Sequence, residues 1–295
     1  MSRKNAFAAS LVIALLGCGG APVGASVLHT ERSLYRDIVV YEEDGLRCMR
    51  FGKQVSGRQS CQSLREPQRL VLEYTRMMVG ALYMNPAPAR VLVIGLGGGS
   101  LPSMLQRLYP GIAIDIVEID PAVVRVARRF FGFTPGPRTR VHTQDGRVFV
   151  KRMARQGVKY DLVLLDAFDH EYIPEHLLTQ EFLQELRGVL TPGGVLAANT
   201  FSGSRLYDHE SVTYYSVFGD FYGLRSGNRV ILTRVGGLPA LDEIERNAAE
   251  LDARLKAFGV DSEVLLPLFR IERSWPEGTR VLTDQYSPSN LLNGR

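Results

Sequence analysis

Cysteine occurs only three times in this chain of 295 residues, and histidine five times. The histidines are dispersed, and no Cys/His spacing matches a metal site, so no protein-built metal centre is expected. The G-x-S-x-G elbow is missing, which excludes the hydrolase layout built around it. There is no internal repeat and no low-complexity tract. A concentrated basic surface is lacking as well, although the net charge is +4 and the pI near 9.0. The densest basic cluster, Arg125–Phe131 ("RVARRFF"), has helical spacing and reads as a solvated helix face, so nucleic acid is not an expected partner. What remains, 45% hydrophobic and 22% charged residues, is ordinary for a soluble globular protein. The length fits one large domain or a core domain with a small satellite.

Long apolar runs are scarce too, and the exception stands at the N-terminus. The run from Ala6 to Gly17 follows Arg3 and Lys4 and precedes small residues. That is the three-part layout of a secretory signal, too short for a comfortable membrane span. Residues 1–25 are therefore expected to be a leader. Two processing sites compete: "LLGC" resembles a lipobox that would leave Cys18 lipidated, and "VGA" suits ordinary cleavage after Ala25. Either places the rest of the chain outside the cytoplasm, periplasmic or anchored as a lipoprotein, touching a membrane only through leader or lipid. A misassigned start would leave it cytoplasmic. Cys48 and Cys61 then remain, as a disulfide closing a loop of about a dozen residues or as two buried thiols.

Past the leader, alternation on both sides of "EEDG" in Asp37–Gly52 predicts a β-hairpin. Helical spacing follows over Leu64–Met84 until "NPAPAR" breaks it, so residues 34–84 are expected to form a small β-rich unit with a helix. From Arg90 the pattern becomes strand and helix in alternation, with continuous aliphatic strands. This predicts an α/β fold over 90–235, a doubly wound, mostly parallel sheet covered on both faces. Residues 236–295 are expected to be a helical extension, led by the amphipathic stretch Leu241–Gly259.

In such a sheet, ligands sit beyond the carboxyl ends of the strands, and the unusual residues are found there. The first strand ends in "GLGGGS", where Gly95, Gly97 and Gly99 allow close backbone approach and free amides at a helix start. The second ends at Glu118, nineteen residues past Gly99, placed to take both hydroxyls of a ribose. The third ends in Asp145–Gly146, where the carboxylate suits an adenine amino group. The fourth, "DLVLLDAFDHEY", runs from burial straight into Asp166 and Asp169. Together the four strand ends predict an adenosine ligand. The G-x-G-x-G spacing with an acid ending the third strand favours an S-adenosylmethionine type over a nicotinamide cofactor.

The span 34–234 resembles the spermidine synthase family, the polyamine aminopropyltransferases, and in particular its divergent bacterial members. "DAFD" keeps both acids of the family's D-S-S/T-D-P motif, and Tyr74 in "LEYTRMM" matches the tyrosine of its Y-H/Q-E-M helix. The resemblance implies a methyltransferase-like fold with a small N-terminal β-domain. It implies an S-adenosyl donor, decarboxylated or not, no metal, a small-molecule amine as acceptor, and a homodimer as one possible assembly. Glu118 would hold the ribose and Asp145 with Gly146 the adenine. Asp166 would be the catalytic carboxylate, while Asp169 and Tyr74 would bind the amine. The pattern also departs from the family: Gly98 stands where an aspartate grips the donor's aminopropyl nitrogen, Arg36 where a glutamine meets the donor, and Thr75 follows the tyrosine. The tyrosine-bearing acceptor loop is missing, which implies weak turnover of putrescine. Asp284, in "VLTDQYSPSN", is placed as a further residue reaching the pocket. Two other functions stay open on the same fold, a small-molecule methyltransferase and an exported adenosine-binding pseudoenzyme.

Overall fold

The computed structural model describes residues 25–52, 57–167, 174–200, 203, 205–289 and 291. Nearly all of residues 1–25, the expected leader, and Asp169 lie outside them. The alternation around Asp44–Gly45 folds as expected. Strand β2 (Asp37–Glu43) pairs antiparallel with β3 (Leu46–Phe51), a register that ends at Glu43↔Leu46. The two turn residues take φ of 52° and 74°, the left-handed pair that a tight hairpin needs. An earlier strand, β1 (Ser26–Arg32), and a later one, β4 (Ser60–Ser63), complete a four-stranded sheet in the order β1-β2-β3-β4. The small unit therefore starts at Ser26 and not at residue 34. Strand β1 is mostly exposed and left no apolar alternation to read. Cys48 and Cys61 face each other across β3 and β4, where they form a disulfide.

The helical spacing of Leu64–Met84 produces helix only in its second half, as α1 (Glu73–Val79) and α2 (Ala81–Met84). Pro67 pushes Glu66 away from helical angles, and the Leu70 amide donates instead to the Phe258 carbonyl.

The alternating region gives β5 (Arg90–Ile94), α3 (Ser100–Leu108), β6 (Ala113–Glu118), α4 (Pro121–Phe130) and β7 (Thr139–Thr143). It continues with α5 (Gly146–Arg155), β8 (Tyr160–Leu165), α6 (Gln180–Val189) and β9 (Leu190–Thr200). Helix starts follow their sequence cues. Asp120, Asp145 and Thr179 cap α4, α5 and α6 by accepting from the amides of Ala122, Val148 and Phe182. Then come α7 (Tyr207–Phe218), β10 (Tyr222–Arg225), β11 (Arg229–Arg234), α8 (Leu241–Lys256) and β12 (Arg270–Ile271). Strand β10 lies within "DFYGLRSG" and turns directly into β11. Strand β12 shows that the C-terminal extension is not helical throughout.

The second sheet has the order β12-β10-β11-β9-β8-β5-β6-β7. Strands β9, β8, β5, β6 and β7 are parallel, and β11, β10 and β12 run antiparallel at one side. The chain winds outward from β5 to β7 and returns through β8, so the switch point lies between β5 and β8. Val91, Val93, Ile116 and Leu164 are buried against α1, α2, α3 and α8, and Leu92, Ile94, Val163 and Leu165 against α5, α6 and α7. Each such side chain contributes about 1.5–3 kcal/mol by leaving water. A further cluster of Ile38, Val40 and Met49 with Val123, Val126 and Phe131 fixes the small sheet to α4. Among the described residues no helix is long and apolar enough to cross a membrane.

Candidate active site

A cleft of about 550 Å³ opens at the switch point, with the ends of β5, β6 and β8 and the start of α5 below and the small sheet above. The two strand ends meet because of Gly95. Its φ is +97°, and a Cβ there would lie 2.0 Å from the Asp166 carbonyl oxygen. Any side chain would force β5 and β8 apart at the point where Asp166 emerges.

Asp166 sits on the floor of this cleft between two donors. Tyr74 Oη donates to Oδ2 at 3.1 Å, and Asn199 Nδ2 to Oδ1 at 3.0 Å. Asn199 Oδ1 in turn accepts from Asn228 Nδ2 at 2.9 Å, which fixes the amide's orientation. Burial pushes the Asp166 carboxyl up to about 6, against the pull of its bonds to Asn199 and Tyr74. Burial and the adjacent carboxylate hold the Tyr74 hydroxyl well above its ordinary value, so it stays a proton donor.

Glu118 lines the cleft and is nearly buried. Oε2 accepts from the Leu96 amide at 2.9 Å and Oε1 from the Asp120 amide at 3.0 Å. Desolvation raises its pKa, and the two backbone bonds oppose that. Asp145 also lines the cleft, and both of its oxygens are engaged. Oδ1 caps α5 at Val148 (2.9 Å) and Oδ2 lies 2.8 Å from His176 Nε2. Gly146 lines the same wall and packs on Ile94, where a Cβ would come within 2.8 Å of Cγ2.

The glycine loop divides its residues between two surfaces. Gly95 and Gly97 face the cleft. Gly99 is the N-cap of α3 and faces a second groove, its α-carbon against the Phe133 ring. The loop is held from above by Ser60 of β4, whose Oγ accepts from the Gly98 amide at 2.8 Å. A Cβ on Gly98 would sit 3.1 Å from Phe131 and 3.2 Å from Ser60, so this packing favours glycine at the family's aspartate position.

The structure brings Asp166, Tyr74, Glu118, Asp145, Gly95, Gly97 and Gly146 to one cleft. It leaves out Gly99. Asp284 does not reach the cleft, because it is bound to Arg147 and Thr179, at 2.6 and 2.7 Å, beside Glu185. Arg36 lines the cleft with its guanidinium 4.6 Å over the Phe51 ring. Sequence reasoning missed Asn199, Ser60 and His176 as site residues. Only Asn199 had a usable signal, an amide at the end of the strand next to that of Asp166. Among the described residues no group of three His, Cys, Asp or Glu side chains is arranged to hold a metal ion.

Comparison with known proteins was made on this geometry. Residues 71–225 match the family model described as the spermine/spermidine synthase domain. The chain is 49% identical over 274 residues to a polyamine aminopropyltransferase of Vibrio vulnificus, covering 91% of this chain and 92% of that protein. A solved spermidine synthase in complex with the transition-state analogue AdoDATO superposes with a TM-score of 0.63 at 20% identity, over 84% of this chain and 86% of that one. Human methyltransferase-like protein 13 in complex with SAH gives a TM-score of 0.55 at 28% identity, over 70% of this chain and 96% of that one.

Proposed function

The chain belongs to the spermine/spermidine synthase family and is an enzyme of the aminopropyltransferase kind, and from that premise we propose that it transfers an aminopropyl group from an S-adenosyl donor to a small amine, with Asp166 as the acting carboxylate. The observation that carries this is the placement of Asp166, held between Tyr74 and Asn199 on the floor of the cleft. Glu118 and Asp145 would take the ribose and adenine of the donor along one wall. The attacking amine nitrogen forms a bond to the carbon next to the sulfonium, the carbon–sulfur bond breaks, and methylthioadenosine leaves neutral. The nitrogen gives up one proton. A carboxylate near 6 is a better acceptor for it than an ordinary one near 4. Asp169, three residues on, would hold the far ammonium of the amine.

The experiment is an assay of methylthioadenosine release from decarboxylated S-adenosylmethionine against a panel of diamines, putrescine included. Weak turnover of putrescine and faster turnover of another amine is the expected pattern. No release with any amine would overturn the reading. A second reading, methyl transfer from S-adenosylmethionine itself, draws support from Arg36 in the cleft, a cation suited to a donor carboxylate. An assay of S-adenosylhomocysteine release from that donor, run beside the methylthioadenosine assay, separates the two. The leader and the Cys48–Cys61 disulfide both support an extracytoplasmic site of action.

A further inference from the structure

The face of the glycine loop turned away from the cleft borders a separate groove of about 360 Å³. Four arginines line it, Arg47, Arg69, Arg107 and Arg129, and among the described residues no carboxylate does. Each guanidinium is held by its surroundings. Arg47 is fixed by Glu42, at 2.6 and 2.9 Å, and by the Phe130 carbonyl at 2.7 Å. Arg69 lies flat over Gly259, where a Cβ would come within 2.9–3.2 Å of its Cγ, Nε and Cζ. Arg107 donates to Gln68 Oε1 at 3.2 Å, and Arg129 lies 5.1 Å over the Phe130 ring. Arg47 has an acidic partner. For Arg69, Arg107 and Arg129, no carboxylate among the described residues lies within 4 Å.

Three like charges set around one polar groove repel one another, and they are brought there from three places, the α1 approach, α3 and α4. A multiply charged anion is the natural counter-charge, since guanidinium pairs with phosphate oxygens in short, two-pronged bonds. Ser100 and Ser103 line the same groove and add hydroxyl donors. The volume admits a diphosphate group. We propose that this groove is a binding site for a diphosphate-class anion, separate from the adenosine cleft. The anion is either soluble or the headgroup of a phosphate-bearing lipid. This proposal does not depend on the aminopropyl-transfer reading.

The test uses the full chain, with calorimetric titration of inorganic pyrophosphate at low ionic strength. Binding with a sub-millimolar Kd is expected, weakened about tenfold or more in the Arg107→Gln/Arg129→Gln double variant, because each lost guanidinium removes charge-assisted bonds. Arg128→Gln, a neighbour outside the groove, should bind as the wild type does. All variants are first shown to melt at the wild-type temperature. Pyrophosphate should remain bound when methylthioadenosine is added. Co-sedimentation with vesicles carrying a polyprenyl diphosphate identifies the source: sedimentation that needs Arg107 and Arg129 points to a lipid headgroup, and pyrophosphate binding without sedimentation to a soluble anion. Absence of both, equal affinity in the double variant, or displacement of pyrophosphate by methylthioadenosine would overturn the proposal.

Discussion

Burial sets the working range of Asp166. Its carboxyl titrates near 6 in the fold against an ordinary 3.8, so the fold favours the protonated form. The stabilising contribution is complete below about pH 4 and is lost as pH rises through about 6. Activity runs the other way, because proton acceptance needs the ionised form. The wild-type kcat/KM should therefore fall with unit slope below about pH 6. Asp166→Asn fixes the neutral state, and it should melt higher than the wild type at pH 8, by about 1–2 kcal/mol, and equally at pH 3.5. The full shift is discounted here because one edge of the carboxyl still meets the cleft. The same variant should lose about 10²–10⁴ in kcat. Unchanged kcat would remove Asp166 from the reaction. Glu118→Ala should weaken methylthioadenosine by about 1.5–3 kcal/mol in calorimetry, the scale of hydrogen bonds to a charged group, and undiminished affinity would exclude Glu118 from the ribose site. These two acids were legible because strand ends are where a doubly wound sheet keeps its ligand groups. His176 and Ser60 were not, since one follows residues 168–173 and the other comes from a different sheet. Only the folded chain brings either to the cleft.

At the scale of the element, β4 does more than complete the small sheet. It carries Ser60 onto the glycine loop and Cys61 into the disulfide, in adjacent positions. Removing the Ser60 hydroxyl leaves the Gly98 amide buried without its acceptor, a loss of about 1–3 kcal/mol. Ser60→Ala should therefore melt lower and bind methylthioadenosine several-fold more weakly, whereas Ser60→Thr should restore both. If Ser60→Ala binds like the wild type, the loop does not rely on β4. The strands and helices of the alternating region were readable because their aliphatic runs and caps agree. Other elements were hidden for physical reasons. Strand β1 is an exposed edge with no buried face. Helix α7, "YDHESVTYYSVF", is rich in aromatic and β-branched residues and is helical because of where Tyr214 and Val217 pack, not through propensity. Strand β12 is two residues long and is defined only by its pairing with β10.

At the scale of the whole molecule, the architecture followed from patterning, as did the gathering of Glu118, Asp145 and Asp166 at one cleft. The place of action does not follow from the fold. It rests on the first 25 residues and on the Cys48–Cys61 pair. A disulfide closing a loop of this size stabilises by about 2–3 kcal/mol through the unfolded chain, a contribution available only in an oxidising compartment. Residues 1–25 have a basic start, a short apolar core and "LLGC", the pattern expected of a leader, and lipidation at Cys18 would supply acyl chains at about 0.8 kcal/mol per buried CH₂, enough with several chains for stable anchoring. Fractionation of the native host is therefore expected to find the protein with membranes on the extracytoplasmic side, and Cys18→Ser should release it or leave it unprocessed. Thiol labelling of the native protein should find Cys48 and Cys61 protected until a reductant is added, and reduction should lower the melting temperature. A soluble cytoplasmic protein that keeps Met1 or Ser2 and labels at both cysteines would reverse the export reading. The enzyme would then sit beside the cytosolic supply of its S-adenosyl donor, which would strengthen the case for aminopropyl transfer.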